Sequence, residues 1–310
     1  MAAQTTRRDM LRALLCAGAG VIGSRAFAES ANTMPAIASR KIPATGESLP
    51  VIGLGTWQTF DVASDAPAKK AAADTLRAFV DRHLRVIDTS PMYGSAEAVV
   101  GELLEPLDPQ RSAFIATKVW TSGVGAGRSQ IDSSFRLLRR ERLDLIQVHN
   151  LLDAETQLAT LMQLKHEGRV RYVGVSHYTA SAHAELVRYV EKRTIDFVQV
   201  NYSLLEREAE NTVLPAAAAN GVAVLINRPL AEGAILARVR GRALPALASE
   251  LGATSWAQLA LKWIIGHPAV TCVIPGTRNP AHLLDNVAAA AGVMPDAALR
   301  AKISAALDAR

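Results

Sequence analysis

Residues 143–149 read LDLIQVH, residues 170–176 read VRYVGVS and residues 197–201 read FVQVN. Each is a short run rich in Val, Leu and Ile, the composition of a strand buried on both faces of a parallel sheet. Their starts leave room for one helix between each pair, as parallel strands require. Working outward, the same kind of run recurs at Val51–Thr56, Val86–Ser90 and Phe114–Val119, and again at Val222–Asn227 and Thr271–Pro275. That makes eight, with starts mostly about 25–35 residues apart, the period of βα units. The wider last interval holds a further helical segment near Leu244–Leu251. Helical periodicity fills the other gaps. Lys69–His83 places Ala72, Leu76, Phe79 and Val80 on one face, Ala182–Lys192 and Trp256–Ile265 behave similarly, and Glu97–Leu104 and Gln130–Arg139 are further helices. The expected fold is α/β, a (β/α)8 TIM barrel over residues 41–310. The rival, a doubly wound open sheet, needs G-x-G-x-x-G after its first strand, and Gly53-Leu54-Gly55-Thr56-Trp57 lacks the third glycine. Lys41–Pro50 reads as an N-terminal β-hairpin capping one barrel end, and Pro280–Ala290 and Pro295–Ala309 as two extra C-terminal helices.

Composition agrees with one large packed unit. Of 310 residues, 49% are hydrophobic and 20% charged, too apolar for disorder. No uninterrupted apolar run reaches the ~18 residues of a spanning helix, so the chain is not expected to be an integral membrane protein. The two cysteines, Cys16 and Cys272, exclude a disulfide framework and a cysteine-based zinc site. His166, His183, His267 and His282 lack metal-ligand spacing and read as surface or cofactor-rim residues.

The N-terminus has its own logic. Arg7-Arg8 precedes Asp9, an Ala/Gly-rich apolar stretch runs from Ala13 to Ile22, and Ala26-Phe27-Ala28 fits a small-x-small cleavage site. Residues 1–28 therefore read as a twin-arginine-type signal peptide and 29–40 as a linker. The expected partner is the twin-arginine export machinery and the expected location the bacterial periplasm. Four arginines and one aspartate give this leader +3 of the net +5, leaving +2 for the remainder. So small a charge carries no nucleic-acid partner. A monomer is the default.

In a βα barrel, chemistry sits at the C-terminal strand ends. There stand Asp88-Thr89-Ser90-Pro91-Met92-Tyr93-Gly94, Thr117-Lys118-Val119-Trp120, Val148-His149-Asn150 and Val175-Ser176-His177. A phenol titrates near ~10, and a neighbouring ammonium lowers that value. A carboxylate keeps the ammonium charged and oriented, and a histidine donates to a carbonyl oxygen. Together they protonate an oxyanion as it forms, which reduction of a carbonyl by hydride requires.

DTSPMYG, the lysine of TKVW, QVHN, GVSHY and IPGT, with the opening KIPATGESLPVIGLGTWQ, resemble the aldo-keto reductase superfamily over about residues 41–290. The resemblance implies an NADP(H)-dependent oxidoreductase (NAD being the other option) that reduces aldehydes or ketones to alcohols. It makes Tyr93 the general acid, Lys118 and Asp88 its tuning pair, and His149 the group that orients a small carbonyl substrate beside Trp57. It gives Thr56, Asp88, Ser176, His177, Gln199, Asn227 and Arg228 to the cofactor. Gly276 and Thr277 offer amides to a phosphate, Arg278 meets the 2′-phosphate, and Asn286 meets the adenine. Two positions depart from the family pattern. His177 stands where asparagine is common, and Asn227 where an aromatic residue often stacks on nicotinamide. They leave a second class open: a non-catalytic cofactor-binding or partner-binding barrel.

Overall fold

A computed structural model describes residues 37–309. The signal peptide expected at 1–28 and most of the linker lie outside the described residues. Among those described, no helix is long and apolar enough to cross a membrane.

The chain opens with a hairpin, β1 (Ser39–Lys41) antiparallel to β2 (Ser48–Pro50). Eight parallel strands follow: β3 (Leu54–Gly55), β4 (Val86–Asp88), β5 (Phe114–Val119), β6 (Leu143–His149), β7 (Val170–Ser176), β8 (Phe197–Asn201), β9 (Ala223–Asn227) and β10 (Cys272–Val273). They pair in chain order, and the sheet closes on itself. Ile52 bridges Val273, Gly55 bridges Gly276, and the Gly55 N–H donates to Pro275 O at 3.1 Å. The approach needs glycine, because a Cβ on Gly55 would lie 2.6 Å from Ile274 O. The GLG run that failed as a dinucleotide fingerprint is thus the seam of the barrel.

Eleven helices follow among the described residues: α1 (Ala66–Asp81), α2 (Ala96–Leu104), α3 (Val124–Leu137), α4 (Ala154–His166), α5 (His183–Glu191), α6 (Val213–Asn220), α7 (Ala234–Arg238), α8 (Leu247–Glu250), α9 (Trp256–Ile265), α10 (Pro280–Ala288) and α11 (Ala297–Asp308). Five strands match their sequence-based starts and ends to within one residue, whereas β3, β4 and β10 are shorter than expected. Periodicity missed α4, whose buried face carries Gln157 and Thr160 between leucines. It also missed α6, whose run of alanines marks no stripe. The hairpin begins at Ser39, two residues inside the expected linker.

Strand alternation divides the core in two. Outward side chains such as Ile115, Ile146, Val173 and Val198 pack under the helices. Inward ones, including Val86, Phe114, Leu145, Tyr172, Phe197 and Cys272, fill the barrel together with Ile42 and Leu49 of the hairpin. The rings of Phe114, Tyr172 and Phe197 lie 5.4–5.9 Å apart and stop the barrel at its N-terminal end. The same alternation continues toward the C-terminal end, where the inward residues become polar.

Candidate active site

On β5, Phe114 and Ala116 point inward, so Lys118 does too. Its side chain is fully buried. Lys118 Nζ donates to Asp88 Oδ2 at 2.7 Å and to Thr89 O at 2.9 Å, both at the end of β4. The other carboxylate oxygen of Asp88 accepts from Gln199 Nε2 at 2.8 Å. Thr56 fixes the Asp88 backbone through its own N–H and its hydroxyl, at 3.1 and 3.0 Å from Asp88 O. Burial works against the lysine's charge, but Asp88 and Tyr93 outweigh it and hold Lys118 above the usual lysine range.

Lys118 Nζ sits 4.9 Å from the centre of the Tyr93 ring. Burial drives the Tyr93 phenol above its ordinary value, Lys118 pulls it back down, and Asp88 adds to the rise. The net direction is upward, opposite to the lowering expected from Lys118 alone, because desolvation of the phenolate is the larger effect. The phenol therefore holds its proton at neutral pH.

His149, at the end of β6, meets Tyr93 edge-on with ring centres 5.9 Å apart. Burial, then Lys118, then His177 lower its pKa to about 3, so the imidazole is neutral. Its Nδ1 lies 3.3 Å from Ser90 Oγ, which already accepts from Met92 N–H at 3.2 Å. The serine's own hydrogen can serve Nδ1, the tautomer that leaves the proton on Nε2.

These groups stand at a cavity of about 820 Å³ at the C-terminal barrel end. That lies within the ~300–1,000 Å³ usual for small-molecule sites. Asp88, Tyr93 and His149 line it, and Lys118 lies beneath. Trp57, Met92 and Trp120 form exposed apolar wall, at 42%, 44% and 38% exposure. Thr56, Ser176, His177, Gln199, Asn227, Arg228, Gly276, Thr277 and Asn286 all line the cavity as well. Arg278 does not; it is exposed outside it. Arg228 also pairs with Glu206 and Glu232, each at 3.3 Å, and donates to Tyr178 O at 3.3 Å. His183 is buried, not at the surface, between Asn201 Oδ1 at 3.0 Å and Thr212 Oγ1 at 3.3 Å. His282 does line the cavity rim.

The sequence missed Ser90, Asn150, Tyr178 and Asp285 as lining or supporting residues. The first three stood in the strand-end motifs, but no pattern told which way they face. Asp285 is held by Ser255 Oγ at 2.7 Å and Gln258 Nε2 at 2.6 Å.

A nicotinamide nucleotide fits this donor set. Ser176, Gln199 and Asn227 offer neutral amides and a hydroxyl beside Asp88, Tyr93 and His149, and Asn227 Oδ1 is buried without a partner among the described residues. At the far end, Gly276 and Thr277 line the cavity just before α10, whose N-terminus Asn279 caps by accepting from Ala281 N–H at 2.9 Å. Residues 228–233 add three left-handed non-glycine backbones, at Arg228, Ala231 and Glu232, of the kind that cluster at ligand clamps.

Comparison with known proteins points the same way. The sequence model of the aldo/keto reductase family matches residues 51–301. A methylglyoxal reductase of Escherichia coli (strain K12) is 32% identical over 251 residues, covering 78% of this chain and 85% of that protein. An NADH-specific methylglyoxal reductase of the same organism is 27% identical, covering 81% and 93%. The crystal structure of an aldo/keto reductase from Klebsiella pneumoniae in complex with NADP and acetate superimposes with a TM-score of 0.70 at 27% identity, covering 86% of this chain and 94% of that one.

Proposed function

The chain belongs to the aldo/keto reductase family, and from that premise we propose that it is an NADP(H)-dependent reductase of aldehydes or ketones with Tyr93 as its general acid. The observation that carries this is the buried Lys118–Asp88 pair at 2.7 Å with Lys118 Nζ 4.9 Å from the Tyr93 ring. Similar proteins crystallised with NADP or NADPH support the choice of cofactor.

When bound, the cofactor supplies the hydride. The chain's residues do the rest. Ser176, Gln199 and Asn227 orient the nicotinamide end, and the amides of Gly276 and Thr277 hold a phosphate. His149 is neutral and carries its proton on Nε2, so it donates to the substrate carbonyl oxygen and fixes it beside the phenol. Tyr93 keeps its proton until the oxygen gains charge, then gives it up. Lys118 stabilises the phenolate left behind, and Asp88 keeps Lys118 charged. Trp57, Met92 and Trp120 keep water from the reacting face.

Oxidation of NADPH by the purified protein with a reactive aldehyde, beside Tyr93→Phe, tests the reading. Turnover in the parent that is lost in the variant supports it. Cofactor binding without turnover of any carbonyl would favour the non-catalytic barrel instead.

The reading extends to location. Arg7-Arg8 and Ala26-Phe27-Ala28 support export of the folded protein to the periplasm. Fractionation of cells making the Arg7→Lys/Arg8→Lys variant checks it, since the variant should stay inside with its leader uncleaved.

A further inference from the structure

Tyr93 sits in a turn between β4 and α2, and that turn is held from both sides. Upstream, Tyr93 N–H donates to Ser90 O at 3.0 Å, and Ser90 Oγ lies 3.3 Å from His149 Nδ1. Downstream, the hold comes from the loop after β3. Ser95 N–H and Ser95 Oγ both donate to Asp61 Oδ1, at 2.8 and 2.7 Å, and Ser95 Oγ accepts from Ala63 N–H at 3.2 Å. Apart from the first turn of α2, no other segment among the described residues hydrogen-bonds Gly94 or Ser95. Gly94 is shaped to this partner. Its φ is +60°, and a Cβ there would lie 2.3 Å from Asp61 Cγ. Glycine lets the carboxylate lie directly against the turn.

The Asp61 end of this interlock is firm. Phe60, the residue before it, is fully buried, and the N–H groups of Phe60 and Thr59 donate to Thr56 O at 3.0 and 3.1 Å. Thr56 in turn is bonded to Asp88 O at the end of β4. Asp61 itself is exposed. The backbone N–H of Ser95, then its hydroxyl, hold the Asp61 carboxyl below its ordinary value, so at neutral pH it is an ionised, acceptor-only group. Asp61 does not line the cavity, but Trp57 of the same loop does. An exposed carboxylate adds little to the stability of the whole fold. Its effect is local, on the turn it grips.

We propose that Asp61 is a positioning residue for the general acid: through Ser95 it fixes the turn that carries Tyr93, and so sets the phenol against Lys118 and the substrate carbonyl. The inference rests on the carbonyl-reductase reading above. Asp61 touches neither substrate nor cofactor, so its loss reaches the reaction through the placement of Tyr93. A misplacement of about 1 Å in a reacting group can cost about 10²-fold in rate.

The test measures kcat and KM for 4-nitrobenzaldehyde, the Kd for NADPH and the melting temperature in the parent, Asp61→Ala, Ser95→Ala and Asp61→Asn. Asparagine keeps the oxygen that accepts both bonds and loses the charge. Asp61→Ala should lower kcat by about tenfold, with the Kd for NADPH and the melting temperature at their parent values. Ser95→Ala keeps the backbone donor and should fall between the two. The double variant Asp61→Ala/Ser95→Ala should be no slower than Asp61→Ala alone, since the pair acts as one unit. Asp61→Asn should stay within about twofold of the parent, a charge at an exposed site being worth little. Parent kcat in Asp61→Ala, or a loss that Asp61→Asn shares in full, would overturn the assignment while leaving the reductase reading intact. So would a fall in kcat that tracks a fall in melting temperature across the variants, the mark of a general loss of structure. A parent that reduces no reactive aldehyde removes the reductase reading and this inference with it.

Discussion

The two ends of the barrel are built from the same eight strands and the same alternation, yet they treat polar groups in opposite ways. At the N-terminal end, Glu47 of the hairpin accepts from Arg85 and Tyr172, each at 2.9 Å, and pairs with Arg171, which also reaches Asp144 at 2.7 Å. Thr45 completes the set at 2.7 Å from the Tyr172 hydroxyl. Each of these groups has a partner inside the chain, above a plug of three aromatic rings. At the C-terminal end, Asn150 Oδ1, Asn227 Oδ1 and Thr89 Oγ1 are buried without partners among the described residues, and apolar side chains stand in solvent. Buried polar groups are normally satisfied. An end that satisfies itself is structural; an end that does not is arranged for something else to bind.

The comparison can be broken by variants that move the wrong quantity. The largest effect belongs to Tyr93→Phe. Turnover should fall by about 10²–10⁴ with cofactor affinity and melting temperature nearly unchanged, because the phenol's proton acts on the carbonyl oxygen alone. Steady-state kinetics, a binding titration and a thermal melt read the three quantities. Next is Lys118→Met, which should damage both rate and fold. The phenolate loses its stabiliser, and Asp88 is left buried without its cation, a loss of about 3–5 kcal/mol for broken buried pairs. A variant with native stability would show that the pair is not buried as described.

Glu47→Ala should do the converse. It leaves Arg85, Arg171 and the Tyr172 hydroxyl short of a partner, at a cost of about 2 kcal/mol. Denaturant unfolding should show the loss while kcat stays at the parent level. A fall in kcat would mean that the plug and the mouth are coupled.

Acid separates the ends more finely. His149 titrates at 6.5 when unfolded and at about 3 when folded. Between those values the unfolded chain takes up a proton that the barrel refuses. Stability therefore falls as pH falls through that window, by up to about 1.4 kcal/mol per unit. Glu47 lies below its ordinary 4.5, since hydrogen bonds from Tyr172, Arg85 and Arg171 outweigh the burial that would raise it. Its contribution is full above 4.5 and is lost as pH drops further. In urea titrations across pH, His149→Gln should flatten the upper window and Glu47→Gln the lower. The smallest effect is at Cys272, between the two ends. Burial raises its thiol pKa, so thiol reagents should label it only after unfolding.

Much of this was legible beforehand, for local reasons. β5 to β8 are continuous apolar runs whose composition marks them wherever they pair, and Trp256–Ile265 carries its own periodicity. The strand-end motifs named Asp88, Tyr93, Lys118 and His149, and for Lys118 and His149 alternation from Phe114 and Leu145 points the side chains inward. Illegible were the contacts made at long range. Nothing local tells that Gln199 reaches Asp88, that Arg228 turns to Glu206 and Glu232, or that Arg278 stays outside.

The sequence by itself determined the eight strands, the family and the chemical types that meet at the mouth, since these depend on residue identity and a period of two. Only the tertiary structure decided which of those groups are paired. Closure of the Gly55–Gly276 seam brings distant strands to one depth, and burial at that depth, not the neighbouring charge, sets the direction of the Tyr93 pKa. Desolvation depends on every atom that excludes water from a group, and those atoms come from the whole chain.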